Sequence, residues 1–142
     1  MHLTRLLLPQ MIDRKAGKVL NIASIAAFEP GPFMSVYYAT KAFVLSFSEA
    51  LGCELKNSGV SVTAACPGPT KTGFESAAGE GTDKLFSKIK NSTAEEVALY
   101  SYYALMRNKP VAIHGMINRF MVWGQRFLPR SVVRNMVYKI QK

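Results

Sequence analysis

Acidic residues are missing from the last third of this chain. Up to Glu96 its 142 residues include ten Lys and Arg against nine Asp and Glu; from Val97 onward there are eight basic residues and no acidic ones. The net charge of +9 is therefore a property of the C-terminal third. It is not the footprint of a nucleic-acid-binding domain, and no motif for such binding accompanies it. Cysteine is scarce. Cys53 and Cys66 are too few for a disulfide framework, and they form neither a CxxC pair nor a metal-like spacing. A reduced, cytoplasmic protein is the default expectation. No apolar run approaches the ~18 residues of a membrane-spanning helix. The opening "MHLTRLLLPQ" has a short apolar stretch with no small-residue cleavage site after it, unlike a signal peptide. His2 and His114 have no partners at ligand spacing, so both are read as structural and no metal is expected.

About half of the residues are apolar (49%), enough for one domain to bury a core. Leu3, Leu6, Leu7 and Met11 repeat at helical spacing over residues 3–14. Gly17 breaks that helix, and Val19, Leu20 and Ile22 form a short run suited to a strand buried on both faces. Pro30, Gly31 and Pro32 mark a loop. A long helix is expected over 36–57, then a second buried strand, "VSVTAACPGP". The segment 70–90 is polar and Gly-containing, and a short helix is expected inside it. The next helix has a clear start: Ser92 or Thr93 can cap it, and Glu95 and Glu96 favour its first turn. "KPVAIHG" is read as a third strand. Two amphipathic helical pieces broken at Pro129 complete the chain. Helices alternating with buried strands predict an α/β fold with a parallel sheet. Three strands make a thin sheet, so the chain reads as the second half of a larger one.

"SVYYATK", residues 35–41, sets Tyr37 four residues and Tyr38 three residues before Lys41. Both spacings bring a tyrosine and the lysine to one helix face, so spacing does not choose between them. Three further features stand in order. "VLNIAS" is a strand ending in Ser24. Tyr37-x-x-x-Lys41 opens the long helix thirteen residues later. Pro67-Gly68-x-x-x-Thr72 follows the next strand. Together they resemble the C-terminal half of the short-chain dehydrogenase/reductase family, over roughly residues 1–115. Residues 116–142 form a basic amphipathic tail beyond it.

The resemblance implies a Rossmann-like, doubly wound parallel sheet, incomplete here, and the interconversion of a carbonyl and an alcohol with NADP or NAD. NADP is preferred, by similarity to bacterial reductases. The resemblance makes Tyr37 the general acid/base and Tyr38 a wall or packing residue. Ser24, Tyr37 and Lys41 become the catalytic residues; Tyr37, Lys41, Pro67, Gly68 and Thr72 become the cofactor-binding ones. The chemistry suits these side chains. Reduction needs a proton delivered to oxygen and the charge forming there stabilised. Ser24 can donate a hydrogen bond to that oxygen and Tyr37 can supply the proton. A free tyrosine titrates near pH ~10, and a neighbouring ammonium favours its ionised form. Other readings of these residues are a half-exposed helix tyrosine, a solvated lysine, a strand-end serine and an ordinary Pro-Gly turn. Asn21 resembles a structural strand residue of the family, and Cys66 reads as a small buried residue.

The family's Gly-rich phosphate-binding turn has no counterpart in the sequence, nor has its catalytic Asn. A truncated portion or a shortened relative is expected, and a non-catalytic module binding a protein partner or an anionic membrane is the alternative function. Phe28, Phe33, Tyr38 and Phe74 are expected as apolar pocket walls for a hydrophobic carbonyl or alcohol. The helices at 1–14 and 36–57 resemble those that pair subunits, so a homo-oligomer is expected. In the tail, Ile117, Phe120, Trp123, Gly124, Phe127 and Leu128 are read as one face, continued by Val132, Val133, Met136, Val137 and Ile140, and Asn118, Arg119, Gln125 and Arg126 as the other. That pattern suits either an amphipathic segment on a membrane surface or a helix pair closing over the pocket or a subunit interface.

Overall fold

The structure, a computed structural model, describes residues 1–72 and 92–142. The expected short helix and covering loop between Gly73 and Lys90, Phe74 included, lie outside the described residues. Among the described residues there are five α-helices: α1 (His2–Asp13), α2 (Ser35–Glu54), α3 (Ala94–Met106), α4 (Met116–Gly124) and α5 (Arg130–Gln141). The strands are β1 (Gly17–Ile22), β2 (Val60–Cys66), β3 (Thr70–Lys71), β4 (Ser92–Thr93) and β5 (Val111–Ile113). The main sheet is parallel throughout, in the order β1-β2-β5. Its α/β, Rossmann-like character agrees with the sequence.

Alternation along β2 sorts its side chains to the two faces of the sheet. Val60, Val62, Ala64 and Cys66 pack with Leu45, Leu51 and Leu55 of the α2 segment, and Leu8 and Met11 of α1 join the same face. Each buried leucine contributes about 1.5–3 kcal/mol. On the other face Ser61 donates to Asn108, just beyond α3, at 2.9 Å, and Lys18 donates to the same Asn108 oxygen. Gly59 stands just before β2. Its φ is +80°, and a Cβ there would stand 2.0 Å from the Lys15 carbonyl oxygen, so the turns entering β1 and β2 can touch only at a glycine.

The expectation of a strand buried on both faces holds for β2 and fails for β1. Ile22 is 53% exposed, because β1 is an edge strand with a single neighbour among the described residues. The start of α3 follows its sequence signal. Glu96 N–H donates to the Thr93 hydroxyl at 3.1 Å, and Thr93 N–H donates to the Glu96 carboxylate at 2.9 Å, a reciprocal cap. Within the expected loop a 3-10 turn spans Ile25–Phe28. The break in the tail consists of a 3-10 turn at Gln125–Phe127 and Pro129 at the head of α5.

Candidate active site

The end of β1 and the end of β2 are tied together beyond the sheet. Ala23 N–H donates to Ala65 O at 2.8 Å, and Ile25 N–H donates to Pro67 O at 3.0 Å. Ser24 is held between these two bonds, buried, beside the Pro67-Gly68 turn. Its hydroxyl oxygen accepts from Ala26 N–H at 3.1 Å, which leaves the O–H to donate. Asn21, one turn of the pleat earlier, donates to Ser48 of α2 at 2.9 Å, in keeping with a structural role.

The first turns of α2 carry Tyr37 and Lys41 to the same place. The Lys41 ammonium donates to Ile22 O, the last carbonyl of β1, at 3.1 Å. It lies over the Tyr37 ring, 5.7 Å from the centroid. Burial lowers the Lys41 pKa from its usual value, against an opposite pull from the Cys66 thiol. A lysine held this way is no solvated surface cation. Cys66 is fully buried, and burial, then Glu49, push its thiol up to about 12 against the Ser24 backbone bond and Lys41. It stays a protonated thiol and no nucleophile.

Tyr38 points elsewhere. It is buried against Ala26, Val133 and Val137, and its hydroxyl accepts from the Gln141 amide at 2.8 Å. Burial first, then Glu29 and Tyr37, push it up to about 12, while the Gln141 bond pulls the other way. That hydroxyl holds its proton at any pH near neutrality.

Ser24, Tyr37, Lys41, Pro67, Gly68 and Thr72 all line one cavity of about 710 Å³. Sequence reasoning named all six, and the fold brings them together. Of the three expected aromatic walls among the described residues, Phe28, Phe33 and Tyr38, Tyr38 alone lines it. Phe28 packs into the core instead, and Phe33 stacks on Tyr138 of α5, with centroids 5.4 Å apart. Phe28 ends the 3-10 turn, and Phe33 stands in the loop between that turn and α2. The far wall is the tail: Phe120, Leu128, Val133 and Val137 from α4, α5 and the turn between them. Asn118, expected on the polar outer face, is buried. It donates to His114 O at 2.7 Å, and it fills the space where a Cβ on Gly68 would stand, 2.3 Å from its Nδ2. This contact seats the Pro-Gly turn on α4 and requires the glycine.

Sequence reasoning missed three residues here. Glu29 lines the cavity, and burial raises its carboxyl above the usual range. Gln141 holds Tyr38, and Asn118 supports Gly68. The His114–Asn118 spacing of four was the only sequence signal among them. Among the described residues no cluster of His, Cys, Asp or Glu is placed to hold a metal ion.

A family model described as short chain dehydrogenase matches residues 1–83. The ketoacyl reductase HetN of Nostoc sp. is 37% identical over 111 residues, covering 68% of this chain and 39% of the relative. The very-long-chain 3-oxoacyl-CoA reductase of Anas platyrhynchos is 32% identical over 140 residues, covering 99% of this chain and 42% of the relative. Among solved structures, a short-chain dehydrogenase from Sphingobium yanoikuyae in complex with NADPH has a TM-score of 0.67 at 30% identity. That match covers 83% of this chain and 46% of the other. The chain thus spans about two fifths of the length of these curated relatives.

Proposed function

Because this chain belongs to the short-chain dehydrogenase family, we propose that it carries the proton-transfer site of an NAD(P)(H)-dependent oxidoreductase interconverting an apolar ketone and its alcohol. The observation that carries this reading is the convergence of Ser24, Tyr37 and Lys41 on one cavity with the Pro67–Thr72 turn. Ser24 donates a hydrogen bond to the substrate oxygen. Tyr37 gives that oxygen its proton on reduction and takes it back on oxidation. Lys41 sets an ammonium over the Tyr37 ring, 5.7 Å from its centroid. Charge that forms on the substrate oxygen meets donors already in position.

The donors on the cavity wall fit the nicotinamide end of a dinucleotide. Lys41 and Thr72 offer an ammonium and a hydroxyl there, and Pro67 and Gly68 form the turn beside them. When bound, the cofactor supplies the hydride. NADP is favoured over NAD by the NADPH-bound relative. Phe120, Leu128, Val133 and Val137 give the cavity an apolar wall, which favours a substrate with an apolar body.

The test is isotopic. The intact protein is incubated with NADPH deuterated at C4 and a set of apolar ketones. The expected product carries one deuterium on its carbinol carbon. A product whose new C–H hydrogen comes from water sinks the reading. Cofactor binding with no turnover of any ketone or alcohol would leave the non-catalytic binding module as the better account.

A further inference from the structure

Helices α4 and α5 treat their apolar residues in opposite ways. In α5 the apolar side is turned inward, with Val133 and Val137 buried against Tyr38. In α4 the buried residues are Asn118 and Val122. At about 100° per residue, Phe120 falls opposite that buried pair, flanked by Ile117 and Trp123. These three are 67%, 68% and 61% exposed, and Phe127 of the following turn is 71% exposed. The Trp123 and Phe127 rings meet edge to face at 4.8 Å. An exposed group of large apolar and aromatic side chains of this kind marks an interaction surface.

Charge identifies what covers it. Arg119, Arg126, Arg130 and Arg134 are exposed on α4, on α5 and between them, in a region of sequence with no acidic residue after Glu96. A second copy of this segment would bring like charges together. An anionic surface would not. Aromatic residues on the outward side with arginines at its margins is the pattern of a helix lying in a membrane interface. No helix among the described residues is long and apolar enough to cross a membrane. Phe120, Met121 and Leu128 belong both to this exposed surface and to the cavity wall, so the cavity opens beside the apolar face.

We infer that α4 and the turn after it bed onto the surface of an anionic phospholipid bilayer, with the mouth of the cavity toward the lipid. An apolar substrate then enters from the membrane; that last step rests on the function proposed above, and the docking does not.

The experiment is co-sedimentation of the intact protein, without cofactor or substrate, with vesicles of phosphatidylcholine alone or mixed with phosphatidylglycerol. Binding is expected to the mixed vesicles and to weaken steeply with salt. Arg119→Gln and Arg126→Gln should each weaken it about fivefold. Ile117→Asp with Trp123→Asp should abolish it, with an unchanged circular dichroism spectrum showing that the fold survives. Trp123 emission should shift to the blue on mixed vesicles and stay put on neutral ones. Equal binding to both vesicles, or none to either, overturns the inference. So does a protein whose Ile117→Asp/Trp123→Asp variant falls to half the native mass in light scattering, because a second copy then covers the face.

Discussion

Two adjacent tyrosines on one helix have opposite fates here. A step of about 100° along α2 leaves Tyr37 half-buried beside Lys41 and sends Tyr38 inward to Gln141. The raised pKa of Tyr38 has a consequence for stability. An unfolded tyrosine titrates near the ordinary value of 10.0 and the folded one at about 12. Between those values the folded state holds the proton more tightly, so stability falls as pH rises through the window. Below pH 10.0 this contribution is fully present. In urea unfolding the native protein should lose about 2 kcal/mol between pH 10 and 12 that Tyr38→Phe does not lose. Parallel pH dependences of the two proteins would contradict the buried, hydrogen-bonded hydroxyl. The sequence distinguishes Tyr37 from Tyr38 only through family resemblance, because both spacings to Lys41 are helical. It does not reveal Gln141, whose partner lies 103 residues away.

At the scale of elements, legibility follows the range of the interactions. The start of α3 is written in four adjacent residues, and Thr93 and Glu96 cap it as their spacing predicts. The β3–β4 pair spans two residues on each side and joins segments 22 positions apart, so no local pattern announces it. The period of the tail is legible, but its orientation is not. Asn118 is buried by the demands of Gly68 and His114, and this turns the aromatic side of α4 outward. The loop before α2 shows how a contact between elements restricts sequence. A Cβ on Gly31 would stand 2.1–2.3 Å from the carbons of the Tyr38 ring. Gly31→Ala should therefore push Tyr38 away from Val133 and Val137 and cost about 1–3 kcal/mol, read as a lowered Tm. An unchanged Tm would show that Tyr38 does not anchor α5.

At the scale of the whole molecule, β2 is the covered centre, β1 is an edge strand among the described residues, and the catalytic candidates sit where both strands end. The face of α1 and α2 turned from the sheet keeps Leu3, Leu6, Val36 and Phe43 exposed. We propose that this face pairs subunits. Light scattering should give a multiple of the subunit mass for the intact protein and a smaller species for Phe43→Glu; a native monomer would contradict it. The central claim, that Tyr37 exchanges a proton with substrate while Tyr38 holds the tail in place, is tested most directly by turnover of Tyr37→Phe and Tyr38→Phe side by side in the intact protein. The account predicts that Tyr37→Phe loses about 10²–10⁴-fold in kcat with NADPH binding largely intact, while Tyr38→Phe keeps most of its turnover and loses stability. Full turnover in Tyr37→Phe would contradict it.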